Sequence, residues 1–263
     1  MEYTTLNDGV KIPMVGFGVY LIPASETKTA VSTALKDGYR LIDTAEYYHN
    51  EREVGEAVAE SGIPRDQVFI TSKMPPQPSY EEAMKRIDET CAAIGNDYLD
   101  LMLIHWPGNA NVENYRALED AQKAGKVRSI GLSSFYGKDY QEIIDQCDVV
   151  PVVDQNETHV FCQQVAFQPV LESHGTKLEA WSPLAAGSHQ VFQRPLLKTI
   201  ARAHHKTTAQ VMLRFLFQRN IITIPKSVRP QRIKDNINIF DFELTADEMK
   251  LIRTLDRGKT MLE

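Results

Sequence analysis

Two features of the sequence predict a (β/α)₈ TIM barrel: a length of 263 residues and an alternation of eight short β-rich runs with amphipathic helical stretches. Eightfold barrels typically take roughly 250 residues. Two smaller units would fit the length as well, but no Ser/Gly-rich linker interrupts the alternation, so one barrel domain spanning 1–263 is expected.

The elements follow in order. An N-terminal hairpin turns at Asn7-Asp8-Gly9. The strand candidates are VGFG (15–18), RLID (40–43), VFITSK (68–73), LDLMLIH (99–105), VRSIGLSS (127–134), PVVDQ (151–155), KLEAWS (177–182) and IITIPK (221–226), eight in all. Helical periodicity lies between them at 25–37, 51–60, 79–95, 113–124, 137–146 and 161–173, with 195–204 and 207–219 before the last strand. Gly38, Gly62, Gly95 and Gly125 stand where helices commonly end. Strands separated by helices imply a parallel sheet, and eight at this length favour a closed barrel over an open doubly wound sheet.

Composition narrows the function classes. With 29 Lys+Arg against 35 Asp+Glu the net charge is -6, which argues against nucleic acid or an anionic membrane as the main partner. The three cysteines, Cys91, Cys147 and Cys162, lack a Cys-x-x-Cys pair and support neither a disulfide framework nor a zinc knuckle. No metal site is expected either: His-x-His and His-Glu-x-x-His are absent, and His204-His205 falls in a helical run where adjacent side chains diverge. The N-terminus lacks the basic start and apolar run of a signal peptide, and no stretch approaches a membrane span, so a soluble cytoplasmic protein is the expectation.

Barrel active sites are built at the C-terminal ends of the strands. Here those ends carry Asp43, Lys73, His105, Ser133-Ser134, Gln155, Trp181-Ser182 and Lys226-Ser227. Any one of them is an ordinary loop start; their convergence on one rim is harder to explain that way. The stretch LIDTAEYYHNE (41–51) adds two tyrosines just after Asp43.

Asp43, Tyr48, Lys73 and His105 form the mixture that carbonyl reduction needs. The reaction requires a proton donor at the substrate oxygen, and a free tyrosine holds its proton too firmly to be a good acid. A lysine ammonium about 4 Å away would favour phenolate by up to ~4 kcal/mol at an effective dielectric near 20, before desolvation opposes it. A half-buried lysine needs a carboxylate partner, which Asp43 can supply, and His105 adds a hydrogen-bond donor.

These residues resemble a known family. Asp43 to Glu51, with Thr71-Ser72-Lys73, Leu103-Ile104-His105-Trp106-Pro107, Trp181-Ser182-Pro183-Leu184 and Ile224-Pro225-Lys226-Ser227, looks like the aldo-keto reductase superfamily, in order and spacing over nearly the whole chain. The compact bacterial reductases of diketo sugar acids and small dicarbonyls are the members it looks most like.

The resemblance implies a monomer that transfers hydride from NADPH to a small-molecule aldehyde or ketone. Tyr48 would be the general acid, Lys73 and Asp43 the pair that lowers its pKa, and His105 the group orienting the carbonyl. Ser133, Ser134 and Gln155 would hold the nicotinamide carboxamide, and Trp181 would stack on the ring, with Ser182 and Leu184 beside it. Lys226, Ser227 and Arg232 would contact the 2′-phosphate and Asn236 the adenine. PKSVRPQRIKDN is locally basic, and arginine binds phosphate bidentately.

Two positions depart from the family pattern. Ser134 stands where asparagine is usual and offers one hydroxyl in place of an amide; Asp235 stands where glutamate is common. The substrate pocket is expected to be open and lined by Tyr20, Tyr47, Trp106 and Met74. Two other readings remain: a Schiff-base aldolase using Lys73, and a non-catalytic NADPH-binding regulatory subunit.

Overall fold

The structure, a computed structural model, describes residues 1–96, 98–258 and 260. Strands β1 (Tyr3–Thr5) and β2 (Lys11–Pro13) pair antiparallel, with Tyr3 opposite Pro13. Their turn falls where the sequence placed it: Asp8 Oδ1 accepts the Val10 amide at 3.0 Å and Gly9 adopts φ 87°, which glycine alone takes at little cost. Ser129 donates to Asp8 at 2.7 Å and Asn7 to the Pro151 carbonyl at 3.1 Å, so the hairpin covers the N-terminal end of the barrel.

The barrel strands are β3 (Phe17–Gly18), β4 (Leu41–Asp43), β5 (Phe69–Met74), β6 (Leu99–Ile104), β7 (Val127–Ser133), β8 (Val153–Glu157), β9 (Lys177–Trp181) and β10 (Ile222–Thr223). They lie in sequence order and every pair is parallel. A parallel bridge between Val15 and Thr223 joins the first edge to the last, with Gly16 N donating to the Thr223 carbonyl at 2.7 Å. The eighth seam thereby closes. Gly18 lies on that seam, where a Cβ would come within 2.9 Å of the Ile224 carbonyl oxygen.

Around the strands run α1 (Ala24–Lys36), α2 (Glu51–Ala59), α3 (Tyr80–Ile94), α4 (Asn111–Lys123), α5 (Lys138–Gln146), α6 (Gln168–Ser173), α7 (His189–Phe192), α8 (Pro195–Ala203), α9 (Thr208–Phe217), α10 (Pro230–Ile237) and α11 (Ala246–Arg253). Helix α3 shows why such segments are helical. Its buried Ala83, Ile87, Thr90 and Ile94 recur at helical spacing, Ser79 caps the start by accepting from Glu82 N, and Gly95 ends it at φ 71°.

Alternation along each strand sorts side chains into two cores. Leu41, Leu101, Leu103, Val153 and Ile222 fill the barrel interior, while Ile42, Met102, Leu132, Leu178 and Ala180 face the helices. No helix among the described residues is long and apolar enough to cross a membrane.

The structure corrects several sequence expectations. Residues 161–167 are irregular, and the helix expected over 161–173 begins only at Gln168. His159 Nδ1 accepts from the amides of Phe161 (3.1 Å) and Cys162 (3.2 Å), and Gln164 sits at φ 52°, so the backbone donors a helix would use are already engaged. The sixth barrel strand runs to Glu157, two residues beyond the expected end, and the first and last are shorter than their apolar runs. Helices α7, α10 and α11 lie outside the helical segments expected from the sequence.

Candidate active site

The site is built where β4 and β5 leave the barrel. Asp43 is the last residue of β4 and pairs in register with Thr71, two residues before Lys73. Lys73 is fully buried, and its Nζ donates to Asp43 Oδ1 at 2.6 Å, to the Thr44 carbonyl at 2.9 Å and to Tyr48 Oη at 3.4 Å. All three ammonium protons are thus directed at acceptors. The second Asp43 oxygen accepts from Gln155 Nε2 at 2.8 Å across the interior.

The polar residues after β4 divide the work of holding this geometry. Thr44 donates to Asn50 Oδ1 at 2.7 Å, and Asn50 Nδ2 donates to the carbonyls of Val19 and Ile22, tying the loop to the β3–α1 connection. A 3₁₀ turn over Glu46–Tyr48, ended by His49 at φ 56°, separates the two tyrosines. Tyr48 is turned in toward Lys73; Tyr47 is 61% exposed. Glu51, at the start of α2, is buried, accepts from Ser72 Oγ at 2.5 Å, and is pushed up to about 7 by burial.

Electrostatics modify one expectation. Burial is the largest single influence on Lys73 and pushes it toward the neutral form, but Asp43, Tyr48 and Glu179 together outweigh it and the pKa rises, so the ammonium persists. For Tyr48 the largest influence is also burial, which raises it; Lys73 lowers it, yet Asp43 opposes Lys73, and the phenol ends above its ordinary value. The expected net lowering is therefore not found, because the desolvation that carbonyl chemistry wants also penalises the phenolate. His105 is driven down to about 3 by burial and by Lys73, so its imidazole is neutral. Its ring lies edge-on to Tyr48 at 5.5 Å, and its buried Nδ1 has no hydrogen-bond partner.

A cleft of about 380 Å³ opens over Tyr48, lined by Tyr20, Leu21, Ile22, Pro23, Tyr47 and Tyr48. Tyr20 packs on Tyr48 at 5.0 Å, and Trp106 meets Tyr47 edge-on at 5.7 Å. Met74, expected to line the pocket, is instead fully buried in the layer between strands and helices. As β5 leaves the barrel, alternation sends Lys73 inward and Met74 outward.

The residues assigned to a nicotinamide cofactor fall into two groups. Ser133, Gln155 and Trp181 lie on the adjacent strands β7, β8 and β9, with Ser133 in register with Gln155 and Glu157 with Trp181. Ser134 and Ser182 follow at φ 60° and 50°, and Leu184 is half-buried beyond them. Gln155 is buried, with its amide nitrogen committed to Asp43. The second group borders α10: Lys226, Arg229 and Arg232 are exposed around its start and Lys234 in its last turn, Ser227 Oγ accepts from Arg229 N at 3.1 Å, and Asn236 is buried. Lys226, Arg229 and Arg232, exposed around one helix start, could hold a phosphate-bearing ligand.

One residue that sequence reasoning missed belongs to this centre. Glu179, on β9, is fully buried and interacts electrostatically with Asp43 and Lys73. Its place in KLEAW, alternating inward with Trp181, was the available signal.

A closed barrel with a buried Lys–Asp pair beneath a tyrosine at its C-terminal rim defines a reductase-like site, and residues 16–257 match the Aldo/keto reductase family. The chain belongs to that family, whose members are oxidoreductases acting on carbonyl and alcohol groups with nicotinamide cofactors. It is 40% identical to a morphine 6-dehydrogenase of Pseudomonas putida, over 96% of this chain and 90% of that one. It is also 40% identical to a glyoxal reductase of Bacillus subtilis, over 97% of this chain and 92% of that one. An aldo-keto reductase crystal structure from a Medee basin deep-sea metagenome library superposes with a TM-score of 0.95 at 36% identity, covering 100% of this chain and 97% of the other.

Proposed function

We propose that this protein is a single-domain, NADPH-dependent carbonyl reductase in which Tyr48 delivers the proton to the substrate oxygen. The observation that carries the reading is the Tyr48–Lys73–Asp43 chain: the phenol oxygen lies 3.4 Å from an ammonium that is itself 2.6 Å from a buried carboxylate. The proton leaves Tyr48 as the product hydroxyl forms, and the ammonium stabilises the phenolate left behind. Neutral His105, whose ring lies edge-on to Tyr48 at 5.5 Å, would orient the carbonyl oxygen. Lys226, Ser227, Arg232 and Asn236 would hold the adenosine end of the cofactor, and Ser133, Ser134, Gln155, Trp181, Ser182 and Leu184 its nicotinamide end. The bound cofactor supplies the hydride.

The cleft lining supports an uncharged aldehyde, ketone or small dicarbonyl. Tyr20, Leu21, Ile22, Pro23 and Tyr47 offer apolar walls and phenol hydroxyls but no cation for the carboxylate of a sugar acid. The relative named as a glyoxal reductase points the same way. A Schiff base at Lys73 is disfavoured: a nucleophilic amine must be neutral and accessible, whereas Lys73 is fully buried, with its pKa raised.

The test is NADPH oxidation with a panel of aldehydes, dicarbonyls and keto sugar acids, run beside Tyr48→Phe. Tyr48→Phe is expected to lose about 10²- to 10⁴-fold in kcat while cofactor affinity is kept. Full activity in Tyr48→Phe would remove the acid role. Binding of NADPH with no turnover by the wild type would leave a binding subunit as the reading.

A further inference from the structure

Strand β9 alternates cleanly. Leu178 and Ala180 pack in the layer facing the helices, so Glu179 points into the barrel with Trp181. It is in register with Gln155 on β8 and Ile222 on β10. Gln155 donates to Asp43, so Glu179 stands one strand away from the group that anchors the Lys73 counter-ion. The charged groups facing it are Asp43 from β4 and Lys73 from β5; Gln155 is neutral and Ile222 cannot ionise. Neither Glu179 oxygen has a protein hydrogen bond of ordinary geometry.

We propose that Glu179 is a positioning residue for proton delivery. Held as a neutral carboxyl within electrostatic reach of the Lys73–Asp43 pair, it leaves the charge of Lys73 available to Tyr48, and its ionisation withdraws that charge. The inference rests on Tyr48 acting as the acid. With Glu179 neutral, Lys73 and Asp43 cancel, and the phenolate formed in the reaction becomes the centre's one net charge. With Glu179 ionised, the same phenolate forms beside a second uncompensated anion in a site without water's screening. Burial and Asp43 both favour the neutral carboxyl against the pull of Lys73 and Gln155, pushing it up to about 8. Above that pH the donor should weaken.

The test reads Tyr48 directly, without turnover. Tyrosinate ultraviolet difference titrations of the wild type and Tyr48→Phe isolate the Tyr48 midpoint, and the same pair is measured in the Glu179→Gln background. The Tyr48 midpoint is expected to fall by about one pH unit in Glu179→Gln. An unmoved midpoint would overturn the inference. In turnover assays the wild-type kcat for reduction should decline as pH rises past about 8, and Glu179→Gln should shift that decline to higher pH. If Glu179→Gln fails to fold, ¹³C-carboxyl NMR of the wild type decides: a Glu179 midpoint near 8 supports the role, and an ordinary glutamate midpoint sinks it. Carbonyl reduction that survives Tyr48→Phe removes the acid reading, whereas a static Tyr48 midpoint removes only the role of Glu179.

Discussion

Lys73 shows how a single side chain couples stability to chemistry. It is fully buried and gives all three of its protons to Asp43, Thr44 and Tyr48, so replacing it strands the Asp43 carboxylate in the interior. Lys73→Met is expected to cost about 3–5 kcal/mol of stability together with the reductase activity, read by urea unfolding and NADPH oxidation. A variant that loses activity at unchanged stability would show that Asp43 escapes desolvation. Ser134 makes the opposite case. Its φ of 60° lies in the left-handed region, which asparagine tolerates better than serine. Ser134→Asn should therefore raise stability by about 0.5 kcal/mol, besides restoring an amide at the rim; a lower thermal midpoint would mean the larger side chain clashes.

At the scale of elements, the barrel was legible in the sequence because its signals are local. Apolar runs ending in Asp43, Lys73 and His105 mark β4, β5 and β6, and Gly38, Gly62, Gly95 and Gly125 all sit at positive φ where helices stop. The segment 161–167 was misread because its periodicity is helical while its amides are taken by His159, a tertiary fact that no local pattern encodes. Glu179 escaped for a related reason: its meaning comes from β4 and β5, more than a hundred residues earlier. The net pKa of Tyr48 likewise depends on a burial that spacing cannot measure. Close packing between elements gives a further prediction. A Cβ on Gly55 would sit 1.9 Å from the Ile94 carbonyl oxygen, so α2 can approach α3 only through glycine. Gly55→Ala should destabilise by about 3 kcal/mol in urea unfolding, and because α2 follows directly from the Tyr48 loop, the loss should include kcat.

The whole molecule carries its buried carboxyls as a pH-dependent load. Burial pushes Glu51 up to about 7 and Asp154 and Glu179 up to about 8. A carboxyl whose folded pKa lies above its unfolded value binds its proton more tightly when folded. Such a group stabilises fully below the unfolded pKa and loses that contribution as pH rises through the folded one. His105, driven down to about 3, acts in the other sense: folding disfavours its charged form, so it destabilises below the ordinary histidine pKa and is indifferent above it. The two effects oppose each other up to roughly pH 6.5, the ordinary histidine value. Above it only the carboxyls remain, and each unit of separation corresponds to about 1.4 kcal/mol per group before the folded state relaxes around the new charge. Stability from urea unfolding is therefore expected to fall by on the order of 3 kcal/mol between about pH 6.5 and 8.5. Asp154→Asn, which removes one of these groups from the face of β8 away from the interior, should flatten the decline while leaving the pH dependence of turnover in place. A wild-type stability that is level or rising across that interval would show that these carboxyls are ionised in the folded barrel.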